Sequence, residues 1–139
     1  MQELSVDVVT PTAQVLSCQA VAVSVPTAEG EITVLPGHAQ LLGTITYGVL
    51  RLYGPEAPEA WFLAEGFVEA SASRVVVLAE RADRLAALDA QRARETLADA
   101  DRRLARTTAD SAEYAIQEKR RRRAEARLLA ISERDANAS

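Results

Sequence analysis

Apolar and polar positions alternate through residues 1–79 and recur at helical spacing through residues 80–139. Leu4, Val6 and Val8 alternate with Ser5 and Asp7, and Val21, Val23 and Val25 alternate with Ala22 and Ser24. Ile32 and Val34 follow the turn-forming Ala28, Glu29 and Gly30, and further short apolar runs occupy 49–53, 61–64, 67–70 and 74–78. Segments 54–59 and 71–73 read as hairpin connections. Short β-branched runs at regular spacing, separated by polar turns, predict a sandwich or barrel. The triplet Val75, Val76 and Val77 lacks alternation, which predicts a strand covered on both faces.

Near residue 80 the period changes. Ala86, Ala90, Ala93, Leu97, Ala100 and Leu104 recur at alternating intervals of four and three, a heptad-type seam on one helix face. Thr107, Thr108 and Ala109 interrupt it. Asp110, three residues before Glu113, resembles a capping box and predicts the start of a second helix. That helix shows a seam at Ala112, Ala115 and Ile116 that resumes at Ala126 and Ala130. Helices joined by so short a turn run antiparallel. Alanine contributes only roughly 0.8 kcal/mol per buried methyl. The seam therefore allows close approach but holds weakly, and the hairpin is expected to be marginal and able to open.

Composition sharpens the division. All six glycines and all five prolines lie before residue 67. These residues serve turns and are excluded from helix interiors. The predicted architecture is a β domain over 1–84 followed by a helical hairpin over 85–139. Charge follows the same split: residues 1–79 carry eight acids and two arginines, and residues 80–139 carry twelve acids and fourteen bases. Cys18, the single cysteine, allows no internal disulfide and no metal framework. No stretch reaches the ~18–20 apolar residues of a membrane-spanning helix. The first residues lack the basic and apolar regions of a secretory leader, so none is expected.

Two segments are candidates for function. Leu35, Pro36, Gly37 and His38 form a rigid turn, in which His38 is either structural or displayed. No second histidine, cysteine or carboxylate pair stands at ligand spacing, so no metal site is expected, and no strained nucleophile turn is present to use His38 as a base. Catalysis by this chain is not expected. Lys119, Arg120, Arg121, Arg122 and Arg123 are five consecutive bases with few acids nearby in sequence. They read as a solvated helix face, a nucleic-acid patch or a protein contact. The chain is acidic overall and poor in aromatics, which disfavours nucleic acid. Arg123 and Arg127 share a face with Ala126 and Ala130, and two guanidiniums there require an anion: carboxylates of the partner helix, a phosphate or another protein. Asp89 is placed to cap the first helix, and Arg92 lies beside its seam.

These segments carry a family resemblance. Residues 30–41, Gly-Glu-Ile-Thr-Val-Leu-Pro-Gly-His-Ala-Gln-Leu, resemble a stretch of the epsilon subunit of bacterial F-type ATP synthase. Residues 75–81, Val-Val-Val-Leu-Ala-Glu-Arg, are similar to the end of that family's sandwich. Leu88 and Asp89, with Arg92 and Ala93, match its first-helix motif. The resemblance runs from about residue 3 to 133. It departs at Thr33, where the family has glycine, at Gln40, where it has proline, and at residues 64–67, where Ala-Glu-Gly-Phe replaces a Ser-Gly-Gly-Phe type.

The resemblance implies a ten-stranded β-sandwich followed by an antiparallel two-helix hairpin. It implies a non-catalytic rotor subunit at the cytoplasmic face of the bacterial inner membrane, peripheral and not inserted. The sandwich would bind the gamma subunit and the c-ring, the ring through the turn 31–38 with Glu31 and His38. The hairpin would inhibit ATP hydrolysis by setting Arg120, Arg121, Arg122 and Arg123 against an acidic segment of the beta subunit in the alpha/beta head. No cofactor is required, but ATP is implied as a regulatory ligand of Asp89, Arg92, Arg123 and Arg127. The rival readings are a free-standing ATP sensor and a nucleic-acid adaptor.

Overall fold

A computed structural model of the chain describes residues 2–38, 40–55 and 59–138. Two compact units divide it, 1–86 and 87–139. The first is built from seven strands: β1 (Leu4–Thr10), β2 (Ala13–Ala20), β3 (Ala22–Thr27), β4 (Gly30–Val34), β5 (Leu41–Tyr53), β6 (Ala60–Ala70) and β7 (Arg74–Arg84). They form one sheet in the order β2-β1-β7-β6-β5-β3-β4. Neighbours are antiparallel except β1 and β7, where Val6 faces Val75 and Val8 faces Val77 in parallel. The core draws on every strand, from Val6 and Val8 of β1 and Ala20 of β2 to Val23 of β3 and Val34 of β4. The two edges of the sheet share one core only because the sheet folds over on itself as a sandwich.

Among the described residues the expected ten strands are seven, because three of them continue around the fold's corner. On β6 the core side chains are Trp61 and Leu63 before the bend and Val68 and Ala70 after it. The same change of parity falls between Ile45 and Leu50 on β5 and between Ala79 and Ala82 on β7. The pairing passes over Thr46, Glu65 and Glu80 in one row across the three strands. Side chains alternate with period two, so a parity change reads in the sequence as the end of one strand and the start of another. Glu65 at this row has φ 53°, backbone that glycine adopts most readily. The departure from the family's Gly-Gly pair thus falls on the residue with left-handed backbone. Tyr47 Oη donates to Glu65 Oε1 at 2.8 Å across the same corner.

Other expectations divide. Strand β2 has no clean alternation in the sequence, because Ala13, Gln14, Ser17 and Gln19 dilute its apolar pattern. Val75 and Val77 are buried, but Val76 is only half-buried, so β7 is covered on one face there and not on both. Segment 71–73 is a tight connection, with Ser71 N donating to Arg74 O at 2.8 Å. In the predicted hairpin connection 54–59, residues 56–58 lie outside the described residues.

The second unit follows a 3-10 turn at Leu85–Ala87. It comprises α1 (Ala90–Leu104) and α2 (Ala112–Asn137). Asp89 caps α1, its Oδ1 accepting from Gln91 N at 2.9 Å and Arg92 N at 3.4 Å. The cap of α2 is Ser111 and not Asp110: Ser111 Oγ accepts from Tyr114 N at 3.1 Å, one residue later than the capping-box reading. Glu113 instead accepts from Gln117 Nε2 at 2.9 Å within the helix.

The seam of α1 holds at Ala93 and Ala100, both buried. The seam of α2 holds in its second part, where Ala130 is buried and Ala126 half-buried, and is corrected in its first. Ala112, Ala115 and Ile116 are exposed, whereas Gln117, Ala124, Ala130 and Ile131 are buried. The buried positions lie on a face through 117, 120, 124, 127, 130 and 131, on which Arg120 and Arg127 are half-buried, with Arg121 at its edge. Alanines occur on both faces of α2 and cannot fix the phase.

Candidate functional site

The arginine run lies on the middle of α2, where the phase of the helix turns part of it toward α1. Arg120 Nη1 donates to Asp99 Oδ2 of α1 at 2.5 Å and to Gln117 Oε1 at 3.2 Å. Arg121 Nε donates to Asp101 Oδ1 of α1 at 2.7 Å, and its Nη1 pairs with Glu125 at 2.6 Å. Arg122 faces away and pairs with Glu118 on its own helix at 2.8 Å. The expected shortage of acids is thus met across the hairpin: partners 20 and 21 residues away supply the carboxylates.

Asp99 is the centre of this arrangement. Besides Arg120 it accepts from Arg103 Nε at 3.0 Å and Arg102 Nη2 at 3.2 Å, both one turn along α1. The hydrogen bond from Arg120, followed by that from Arg103, holds its carboxyl down at about 2. The bond from Arg121 to Asp101, with Glu125 nearby, pushes the Arg121 guanidinium up. At the far end of the hairpin, Arg134 Nη1 donates to Leu88 O at 2.9 Å, tying the last turns of α2 to the residue before the α1 cap.

The depressed carboxyl gives a pH prediction. Asp99 titrates near 3.8 when the chain is unfolded and about 2 when folded. Its contribution to closure is complete above the higher value and is lost as pH falls through the lower one. The groups around it are Arg102 and Arg103 on its own helix and Arg120 from α2, all cationic throughout this range. The hairpin should therefore stay closed down to about pH 4 and loosen between about 4 and 2. Interhelix distance measured against pH in the wild type and in Asp99→Asn checks this; the same transition in both would remove Asp99 as its source.

The four residues assigned to nucleotide are only partly convergent. Asp89 uses its carboxylate as the α1 cap, and Arg92 is exposed on the first turn of α1. The pairs Asp99–Arg120, Asp101–Arg121 and Leu88–Arg134 set the antiparallel register. In that register Arg127 lies nearly level with the first turn of α1, and Arg123 lies about 6 Å further along α2 at ~1.5 Å per residue. Arg123 and Arg127 are both half-buried. Asp89, Arg92 and Arg127 thus share one end of the hairpin, and Arg123 belongs to the end holding the Asp99 cluster.

Glu31 and His38 do not share a turn. Strand β4 occupies Gly30–Val34 and separates them: Glu31 pairs with Pro26 beside the β3–β4 hairpin turn, and His38 follows the opposite end of the strand. Glu31 Oε1 accepts from the buried Ser24 Oγ at 2.6 Å. The His38 turn is built by Gly37 at φ 86°, by Gly37 N donating to Ala72 O at 2.7 Å and by His38 N donating to Leu35 O at 3.0 Å. Ala39 of the family-like stretch lies outside the described residues. Among the described residues no group of acids, histidine and cysteine is arranged to hold a metal ion, and no helix is long and apolar enough to cross a membrane.

Sequence reasoning missed Asp99, Asp101, Gln117 and Arg134. A signal for the first two existed. An antiparallel hairpin brings residues near 100 to the level of residues near 120, so the prediction already set both acids beside the run, although reversal of chain order lets no single register pair 99 with 120 and 101 with 121.

Comparison with known proteins agrees with the fold. Residues 3–85 match the family described as "ATP synthase, Delta/Epsilon chain, beta-sandwich domain". The chain is 34% identical to the ATP synthase epsilon chain of Myxococcus xanthus (strain DK1622), over 95% of this chain and 97% of that one. It is 35% identical to that of Halalkalibacterium halodurans, over 92% and 96%. A chain in the Euglena gracilis mitochondrial ATP synthase OSCP/F1/c-ring structure superposes with TM-score 0.80 at 19% identity, covering 94% of this chain and 82% of that one. A chain of the central stalk and c-ring of the Tetrahymena thermophila mitochondrial enzyme gives 0.59 at 14% identity, covering 95% and 96%. With the sandwich matched as a unit and relatives aligned through both helices, this chain belongs to the ATP synthase epsilon chain family.

Proposed function

We propose that the chain is a non-catalytic rotor subunit of the central stalk of an F-type ATP synthase, peripheral at the cytoplasmic face of the bacterial inner membrane. Its sandwich binds the gamma subunit and rests on the c-ring, and its hairpin restrains ATP hydrolysis in the alpha/beta head. One observation carries the regulatory part: a hairpin with an alanine-lined interface holds its arginine run by ion pairs at the protein surface. Exposed pairs are worth only ~0–1 kcal/mol each, so opening is cheap. An open hairpin would present Arg120, Arg121, Arg122 and Arg123 to an acidic segment of the beta subunit. The rigid turn at His38 is the ring contact, and Glu31, at the other end of β4, marks a second point on the same sandwich. ATP acts as a regulatory ligand at the end of the hairpin holding Asp89, Arg92 and Arg127, with Arg123 one turn further along α2, by favouring the closed hairpin.

The test is reconstitution of the ATP synthase with residues 1–139 or 1–84 of this chain. Both are expected to co-purify with the gamma subunit and the ring, and the shorter chain is expected to raise hydrolysis severalfold. Equal hydrolysis with the two would remove the hairpin from regulation. Failure of the shorter chain to bind would move the gamma contact off the sandwich.

A further inference from the structure

The closed hairpin contains its own acidic partner for the arginine run. Asp99 and Asp101 stand two residues apart on α1 and receive Arg120 and Arg121, two adjacent residues of α2. The match is selective. Arg122, on the outer side of α2, pairs only with Glu118 of its own helix among the contacts described, and its side chain is 64% exposed. Arg120 and Arg121 are 38% and 42% exposed, and the carboxylate that holds Arg120 is 28% exposed. Both cross-hairpin contacts are charge-assisted hydrogen bonds at 2.5 and 2.7 Å, a stronger class than neutral ones. Asp99 is further fixed by Arg102 and Arg103, which orient its carboxylate and neutralise part of its charge.

We propose that Asp99 and Asp101 are an internal decoy: in the closed hairpin they occupy Arg120 and Arg121, and an acidic partner must displace them to bind the run. The proposal rests on the regulatory reading above and adds the residues that oppose it. In the closed hairpin Arg120 gives Nη1 to Asp99 and Gln117, and Arg121 gives Nε to Asp101 and Nη1 to Glu125, so a partner competes with α1 for donors already in use. Hairpin closure and partner binding therefore compete for Arg120 and Arg121, whereas Arg122, paired only within α2 among the contacts described, is bound by neither state of the hairpin. Removing the decoy lowers the barrier to the partner without touching any arginine.

The experiment uses the isolated full-length chain, with poly-L-glutamate as the acidic probe. Spin labels at Gln91 and Leu129, both exposed and nearly level across the hairpin, report opening in a Cys18→Ser background. Asp99→Asn with Asp101→Asn is expected to tighten poly-glutamate binding about fivefold and to lengthen the label distance. The charge-matched control, Asp110→Asn with Glu133→Gln, alters two exposed acids outside the clasp and is expected to do neither. Equal tightening by both pairs would show a bulk charge effect and overturn the proposal, as would an unchanged label distance in the first pair. The decoy variant is then assembled into the ATP synthase. An opened hairpin with unaltered hydrolysis would sink the regulatory reading and leave the decoy standing. Altered hydrolysis with a closed hairpin would sink the decoy alone.

Discussion

Gly66→Ala should unfold the sandwich or bring it close to unfolding. Gly66 sits on β6 at the corner, paired with Ile45 on one side and Ala79 on the other. A Cβ built there lies 1.9 Å from Leu78 O and 2.8 Å from Ala79 Cα. Both obstacles are backbone atoms of the next strand, so no rotamer change relieves them. Relief requires β6 and β7 to part at the point where the sheet turns over. Ordinary overpacking costs about 1–3 kcal/mol, and a backbone clash in the central strands belongs at or above the top of that range. Domains of this size are stable by only ~5–15 kcal/mol. At roughly 4–8 °C per kcal/mol for a domain of this length, the melting temperature should fall by more than about 10 °C. Thermal unfolding of the variant checks this, and a shift of only a few degrees would mean that the corner has slack that its geometry does not show. Gly48 meets a similar limit: its Cβ would lie 2.5 Å from Pro26 Cβ, a ring atom fixed to the backbone of β3, so that strand would also have to move.

That corner also marks where the sequence stops being legible. Strands with clean alternation, such as Leu4–Val6–Val8, could be read directly because one face is buried along their whole length. Strands β5, β6 and β7 could not, because each exchanges its buried face at the row of Thr46, Glu65 and Glu80. A period-two pattern that changes phase is indistinguishable in sequence from two strands with a break. The hairpin shows the same limit at period 3.5. Asp89 was legible as a cap because a cap is local. The inner face of α2 was not, since its alanines lie on both faces and the residues that cross to α1 are arginines. Charged seam positions carry no apolar signal, and their partners emerge only when the two helices are folded against each other. Glu31 and His38 illustrate the converse: seven residues of separation looked like one turn, but five of the residues from 30 to 34 are strand β4 and carry the two to opposite ends.

Replacing the arginine run should raise ATP hydrolysis by the assembled enzyme in unequal steps. The four positions are not equivalent, because on the proposed function Arg120 and Arg121 would serve two opposed roles. In the closed hairpin they hold α1, and in an open one they would hold the beta subunit. Alanine at either removes a closing contact and an inhibitory contact together, and the two effects partly cancel. Arg122 has no such conflict. Its pair with Glu118 lies within α2 and contributes nothing to closure. Arg122→Ala should therefore leave the closed hairpin unchanged and lose only the inhibitory contact. A desolvated interfacial ion pair exceeds the ~0–1 kcal/mol of an exposed one, and about 1 kcal/mol of differential binding is roughly fivefold in the open-to-closed ratio. Hydrolysis should rise by up to that factor with Arg122→Ala and by less with Arg120→Ala or Arg121→Ala. It should reach the level of the chain ending at residue 84 when all four are alanine. The rise must saturate there, because once the inhibitory state is no longer populated nothing further can be released. Hydrolysis rates of the assembled variants test this order. Equal effects at Arg120, Arg121 and Arg122 would deny the opposed roles, and no effect of the fourfold change would leave the run as a solvated helix face, with regulation lying in another subunit.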